Sequence, residues 1–447
     1  MSKNKTNLTK ITKNAGMTFI NKTLFMLLGM VSSVFLARFL GPENRGYYAM
    51  VLFLPSTLSM VLGLGIPSSN VYHIAKKINL SEILKFNKLL KNFLSIAGLI
   101  IGIIIIDFFS EKLFPGIPKN LLSIGLISYP LLLINSFSFS VFLGLQEIKI
   151  YNKIQLQQKV ISTILAIFAT YFWNIIGAII AIIISNIIIY IQCKIHITKV
   201  TKNDQKNKTL NKNKFIQYGL KSYFSDIIAF LNYKADIFFI NFFLNPVLTG
   251  VYVVAVSLAE KIWIVTSSIS LVINPKLTEI SDDENEHTHL TILTAKWVFY
   301  LTLFIVIFLG ISIKYIVSFL YGAEYSQVVL PFILLLPGIC LGAMSKIISN
   351  SFASLGKPEI NLYMGIVILV INITLNILLI PRFGLIGGAI ATSVSYTTVT
   401  ICKLFILKQL QDIKIHNIFI INKRDLVLFN KLISKIKKSI RGIIVKE

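Results

Sequence analysis

Leu36-Ala-Arg-Phe-Leu-Gly-Pro-Glu-Asn-Arg-Gly-Tyr-Tyr48 decides the fold, because part of it returns in the second half of the chain. Leu40, Pro42, Gly46 and Tyr48 recur as Leu244, Pro246, Gly250 and Tyr252, each 204 positions later. Both copies leave a long apolar run, turn on proline and glycine, and enter another apolar run. A second echo has nearly the same offset: Gly177 and Ala181 match Gly387 and Ala391, 210 positions apart. Two unrelated segments that agree on almost one offset indicate a duplicated unit of about 200 residues.

Composition supplies the medium in which that unit sits. The chain has 447 residues, of which 55% are hydrophobic and 14% charged, with a mean hydropathy of +0.75. Soluble domains average about 25% charged residues, and many runs here approach the roughly 20 apolar residues that cross a hydrocarbon core. The chain is therefore expected to be an integral membrane protein. The runs are continuously apolar and lack the alternation of a lipid-facing strand, so helices rather than a barrel are implied. The run after Gly16 is too long for a secretory signal and has no small-residue cleavage site. Cys193, Cys340 and Cys402 lie far apart in apolar runs, which implies neither a disulfide framework nor a metal site, and no cofactor is expected. The net charge of +25 points away from nucleic acid once its placement is traced, since the lysines concentrate in alternate loops.

Twelve spans are expected, near 17–40, 47–72, 89–109, 121–143, 157–173 and 175–193, then 215–241, 250–273, 296–320, 328–350, 360–380 and 384–407. Lys3, Lys5, Lys10 and Lys13 precede the first span, and Lys76, Lys77, Lys85, Lys88 and Lys91 follow the second. Lys149, Lys153 and Lys159 follow the fourth, and Lys199 through Lys214 separate the halves. The intervening loops hold few basic residues: Arg45, Lys112, Lys119 and Arg382. The positive-inside rule then places the even-numbered connections and both termini in the cytoplasm. The expected organisation is a six-helix half over 1–197, a basic linker over 198–214, a second six-helix half over 215–407 and a basic tail over 408–447. Six spans per half leave both copies facing the same way, as parallel repeats with a path between them. In the tail, Leu426, Phe429, Ile433, Ile436, Ile440 and Ile443 form one apolar helical stripe among lysines. Such a helix is expected to lie on anionic membrane lipids. A similar short helix is expected to start at Asn79, with Glu82 as capping partner.

Few residues suit chemistry. No ATPase signature is present: near Gly356-Lys357, Ser351 stands where a phosphate loop needs its first glycine. The acidic run Asp282-Asp283-Glu284-Asn285-Glu286-His287 sits in one loop with nothing to fix ligand geometry and reads as solvated. What remains is ionisable residues inside spans, which cost about 2.5–3.5 kcal/mol each at a helix centre and tend to face a wet interior. Lys22 lies early in span one and Arg38 near its far end. Asp226, Lys234 and Asp236 lie in span seven, with Glu260 and Lys261 midway along span eight. Lys22 and Asp226 are repeat equivalents whose opposite charges would pair across facing helices. Lys22, Arg38, Lys234 and Lys261 are the cationic cavity candidates; Asp226, Asp236 and Glu260 are candidate charge partners or ion-coupling groups. Pro55, Pro67, Pro130, Pro331 and Pro337 each favour a bend.

The Leu36–Tyr48 stretch resembles the first-loop signature of the polysaccharide (O-antigen, Wzx-type) flippases, in the multidrug/oligosaccharidyl-lipid/polysaccharide exporter superfamily. Ser354-Leu-Gly-Lys-Pro358 and the segment from Asn376 through Pro381-Arg-Phe-Gly-Leu-Ile-Gly-Gly-Ala-Ile-Ala-Thr392 resemble that family's eleventh and twelfth helices. The likeness covers the chain to about residue 407. It implies a bacterial inner-membrane transporter, not an enzyme. Its expected cargo is undecaprenyl-diphosphate-linked oligosaccharide, moved between leaflets by alternating access through a cationic cavity, with polysaccharide polymerase machinery as a partner. Asp226 and Asp236 depart from a purely cationic cavity. A cation-coupled drug exporter of the same superfamily would carry a carboxylate deep in span one, where this chain has none. A membrane-embedded glycan enzyme would need clustered carboxylates or histidines on a loop, which only residues 282–287 approach.

Overall fold

The computed structural model describes residues 2–201, 209–411 and 416–420, with the side chains of residues 21, 23–199, 201, 209–411 and 418–420. The described chain is helical. It runs through α1 (Ser2–Leu62), α2 (Ile66–Ala75), α3 (Leu80–Ile104), a π-turn at Ile105–Phe109 and α4 (Ser110–Leu113). It continues through α5 (Lys119–Leu126), α6 (Ser128–Gly144), α7 (Ile148–Thr201), α8 (Lys212–Phe243), α9 (Pro246–Lys261) and α10 (Trp263–Glu279). Then follow α11 (Glu284–Leu320), a 3-10 turn at Ala323–Val328, α12 (Val329–Ser354), α13 (Glu359–Phe383), α14 (Leu385–Gln411) and α15 (His416–Phe419).

Among the described residues, 9 segments are long and apolar enough to cross a membrane. One of them, of 52 residues over Ile148–Lys199, would extend about 78 Å as a single helix, against a hydrocarbon core of about 30 Å. It is two spans joined where Trp173 and Asn174 leave helical geometry. The helix over Thr23–Leu62 likewise changes direction at Gly41, with φ 68°. The polar side chains of α8 keep it out of the most apolar set, and it supplies the remaining span. With these two breaks and α8, the elements match the twelve expected spans in order. Large apolar side chains stand exposed along α3 and α11, from Leu89 to Phe108 and from Phe304 to Phe319, as a lipid-facing surface requires. Tyr171, Phe172 and Trp173 crowd the α7 break, in the manner of an interfacial aromatic belt.

Contacts divide the chain into two compact units. The first comprises Met1–Lys261, Leu309–Leu336 and Gly365–Ser395. In it, the two copies of the opening motif pack on each other. A methyl group on Gly46 would lie 1.8 Å from the carbonyl oxygen of Pro246, and one on Gly250 would lie 1.9 Å from that of Pro42. The contact is reciprocal, as a twofold relation demands, and glycine is required because backbone meets backbone. The second echo is also geometric. Gly177 packs on the Ala169 carbonyl and Gly387 on the Leu379 carbonyl, so both partners keep the same 210-residue offset.

Span two is broken in the same unit. Leu64 and Gly65 take φ 47° and 65°, and Gly65 faces the Gly219 carbonyl, 2.0 Å from where a methyl would stand. Pro67 then begins α2, so the break comes from the glycines while proline starts the new helix. Pro55 sits inside uninterrupted helix, where it leaves the Val51 carbonyl without its usual donor. Gly125 lets α5 approach that carbonyl closely. Asn79 caps α3, accepting from the Glu82 N–H at 3.2 Å. The helix that starts there is not a separate short one but the first turns of span three. Glu82 does not reach back to the cap; its carboxylate accepts from the Leu210 N–H at 2.7 Å.

The second unit comprises Ile262–Phe308, Pro337–Met364 and Tyr396–Glu447. Trp263 donates to the Ile339 carbonyl at 2.9 Å, and Lys403 Nζ reaches Ser349 Oγ at 2.7 Å. The acidic run is a helix start: Asp283 Oδ1 accepts from the Glu286 N–H at 3.0 Å. His287 turns inward, fully buried, with Nε2 2.8 Å from Ser354 Oγ and Nδ1 2.8 Å from Gln411 Nε2. The apolar stripe over 426–443 and linker residues 202–208 lie outside the described residues.

Candidate functional site

Every residue of the candidate site discussed below belongs to the first unit. Lys22 lies on α1, but its side chain is outside the described residues. Arg38 serves the end of another helix. Its Nε donates to the Leu320 carbonyl at 2.7 Å and its guanidinium also donates to the Phe319 carbonyl. These are the last carbonyls of α11, which lack acceptor-satisfying amides within the helix and favour a nearby cation.

Asp226 lines a cavity of about 270 Å³ at the break in span two, with Ser56, Ser59, Gly65, Ser136 and Phe230. Its carboxylate accepts from the Ser68 hydroxyl, in the first turn of α2. That position suits an anion, because the start of a helix presents unpaired amides. Lys234 follows Asp226 and Phe230 along one face of α8, about 12 Å from Asp226 along the axis. It is exposed and makes no ion pair among the described residues. Asp236, two positions on, points about 200° away from Lys234 and is buried. Its Oδ1 accepts from the Ile237 N–H at 2.8 Å and its Oδ2 from the Tyr252 hydroxyl at 3.2 Å. Tyr252 belongs to the second copy of the opening motif, and Gly388 makes room beside its hydroxyl. One turn after Gly388, Thr392 Oγ1 accepts from Asn372, whose Oδ1 accepts from Asn376 at 2.9 Å. Spans seven and eight thus share one buried polar pair, Asp236 with Tyr252, and spans eleven and twelve another buried group, Asn372, Asn376 and Thr392.

Glu260 and Lys261 end α9, and the carboxylate of Glu260 acts electrostatically on both Lys261 and Tyr233. Lys261 does not stand alone: its charge and that of Arg45 both bear on Lys159, from span five. Sequence reading assigned Lys159 and Arg45 to loops, but each sits inside helix. Lys159 is half-buried with its Nζ 5.6 Å from the Phe25 ring centroid. Arg45 is only 9% exposed, and its guanidinium lies 5.4 Å over the Tyr48 ring. Its charge also reaches Tyr321 and Tyr325. Among the described residues it has no carboxylate partner, and its Nε has no hydrogen-bond acceptor. Removing one partner from a buried pair costs about 3–5 kcal/mol, so a buried guanidinium without an ion pair is held at a comparable cost. Spacing gave no hint of this cluster, because Arg45 and Lys159 are 114 positions apart.

Most of the chain has counterparts of known fold. Residues 35–330 match the family described as polysaccharide biosynthesis protein. The chain belongs to that family. It is 23% identical over 220 residues to the probable low-salt glycan biosynthesis flippase Agl15 of Haloferax volcanii, a match over 49% of this chain and 47% of that protein. The chain thus spans about half the length of that curated relative. Its fold is similar to that of the lipid II flippase MurJ in an inward closed conformation. That likeness has a TM-score of 0.74 at 19% identity and covers 96% of this chain and 99% of that one. An inward-facing multidrug resistance MATE family transporter is similar at a TM-score of 0.63 and 14% identity, over 87% of this chain and 96% of that one. These likenesses place this family member in the fold shared by MurJ and the MATE transporters, and the relatives' names are those of flippases and transporters rather than enzymes.

Proposed function

We propose that this protein is a secondary transporter that flips undecaprenyl-diphosphate-linked oligosaccharide repeat units across the bacterial inner membrane for cell-surface polysaccharide synthesis. The carrying observation is Arg45, buried and with no ion pair among the described residues, grouped with Lys159 and Lys261. A diphosphate supplies negative charge to this mostly cationic cluster, and hydrogen-bonding groups such as Asn232, Tyr233 and Ser136 suit a sugar chain. The polyprenyl tail stays in lipid. Lys234, on the Asp226 face of α8, extends the basic path, while Asp226, Asp236 and Glu260 hold or balance the cations. The two six-helix halves, 1–197 and 215–407, act as the moving bodies of alternating access, with both termini cytoplasmic and a polymerase receiving the delivered units. A drug exporter of MATE type is the rival, and the cationic cluster favours an anionic cargo over it.

The test is a deletion strain scored for lipid-linked repeat units on each face of the membrane. Accumulation on the cytoplasmic face, restored to normal by the wild-type gene, is expected. Delivery at the normal rate in the deletion strain, with increased drug sensitivity instead, overturns the reading in favour of the exporter.

A further inference from the structure

A second cavity, of about 370 Å³, lies between α3, α6 and the C-terminal end of α7. Its volume falls in the range of small-molecule sites, about 300–1,000 Å³. Lys88 and Lys91 of α3 and Lys194 of α7 converge on it, and the charges of Lys88 and Lys194 both press on Lys91. Among the described residues none of the three has a carboxylate within ion-pair distance. The Lys91 ammonium stands 5.7 Å from the Tyr190 ring centroid, which fixes one side. The opposite wall is apolar, built from Ile134, Phe137 and Val141. Behind the cavity, Asn87 donates to Asn70 at 2.8 Å and Asn70 to Ser140 at 2.9 Å, so α2, α3 and α6 are locked and the cavity is preformed.

The surroundings identify the medium it opens to. On α3, Leu89 and Phe93 are 67% and 69% exposed, flanking Lys88 and Lys91; on α7, Ile191 and Ile195 are each 49% exposed, flanking Lys194. Both stripes continue along their helices at three- and four-residue spacing, through Ile96 and Ile100 and through Ile187 and Ile184. Apolar faces of this length are solvated by acyl chains. The mouth of the cavity therefore lies at a boundary, with cations at the bundle's lysine-rich end and hydrocarbon alongside.

We propose that this cavity is a seat for an anionic phospholipid: the three lysines receive the phosphate of the headgroup, and an acyl chain lies along the exposed leucine, phenylalanine and isoleucine stripes. Basic pockets between helices at the cytoplasmic surface take phosphate headgroups by the same physics. Free inorganic phosphate offers the lysines the same charge but leaves the stripes unused. The inference does not depend on the identity of the transported cargo.

The experiment is retention of phosphatidylglycerol, against phosphatidylcholine, by the full-length protein in detergent, read by native mass spectrometry. The paired substitution Lys91→Gln with Lys194→Gln is expected to weaken phosphatidylglycerol retention about thirtyfold, the order expected for two lysines near the membrane surface. Lys149→Gln with Lys153→Gln removes the same charge from an exposed part of α7 and is expected to leave retention unchanged. Lys91→Arg with Lys194→Arg is expected to keep it, and thermal unfolding of each variant separates lost binding from lost fold. Equal retention by the glutamine pair overturns the site, as does an equal loss in the Lys149/Lys153 control. Loss in a stably folded arginine pair overturns it too. If inorganic phosphate at equal concentration displaces the lipid, the site is a free-anion site and the lipid assignment is wrong.

Discussion

The contact between the two motif copies gives the sharpest test, through Gly46→Ala and Gly250→Ala. A methyl at residue 46 would meet the Pro246 oxygen at 1.8 Å, and one at 250 would meet the Pro42 oxygen at 1.9 Å, whereas ordinary contact begins at 3.4 Å. The obstacle is backbone carbonyl, not a side chain that can swing away, so the helix starts must part by about 1.6 Å. Parting removes two Cα–H···O contacts worth about 0.5–1 kcal/mol each and adds an overpacking cost of about 1–3 kcal/mol. Each single variant is therefore expected to lose about 2–5 kcal/mol. The two losses should be similar, since the positions are equivalent. One separation accommodates both methyls, so the double variant should lose less than the sum. Thermal unfolding of the purified protein in detergent measures this, with Gly29→Ala as control, where the nearest atom is a flexible lysine carbon at 3.6 Å. Two silent single variants, or one silent and one severe, would refute a reciprocal backbone contact.

Four further outcomes are expected. Lys234→Ala inserts normally but loses transport, and Lys234→Arg retains part of it; full complementation by the alanine variant removes Lys234 from the site. Lys159→Ala and Lys261→Ala each lower the flipping rate at least tenfold, about 1.4 kcal/mol of lost stabilisation, while Lys149→Ala does not; this is read in proteoliposomes carrying a labelled lipid-linked glycan. Tyr252→Phe leaves Asp236 Oδ2 without its side-chain donor and lowers stability by about 1–3 kcal/mol, seen as a lower unfolding temperature. Asn174, at φ 49°, relaxes on Asn174→Gly and strains further on Asn174→Val, so the two should move the unfolding temperature in opposite directions.

The sequence made the architecture legible because membrane burial leaves no choice about backbone hydrogen bonds. Continuous apolar runs must be helices, and turn residues divide them. The repeat was legible for a stricter reason: Gly46 and Gly250 meet the backbone carbonyls of Pro246 and Pro42 so closely that no side chain fits at either glycine. The site was less legible. Depth can be estimated from position along a span, but the side of a helix that faces the interior depends on packing. Lys234 and Lys261 stood out because charge inside an apolar run is expensive wherever it points. Arg45 and Lys159 did not, because they lie near span ends, where a loop lysine and a cavity lysine look alike. Arg38 shows the reverse error of emphasis: its charge is committed to the last carbonyls of α11.

Under the proposed function, the cationic cluster would need a mobile rather than a resident counter-ion. A buried arginine could be neutralised by an aspartate on a neighbouring helix, and this chain carries buried or partly buried carboxylates at Asp236 and Glu260. Yet Asp236 is held by its own backbone and by Tyr252, and among the described residues none forms an ion pair with Arg45. A permanent ion pair there would compete with every anionic cargo. Leaving Arg45 over the Tyr48 ring, with Lys159 and Lys261 nearby, keeps the charge weakly compensated by an aromatic face. On the proposed reading a diphosphate entering the cluster would gain most of the electrostatic stabilisation, and its departure would restore a state that is costly but not unfolded. On that reading, the difference between the loaded and empty cluster would be the energy by which the ligand shifts a two-state bundle.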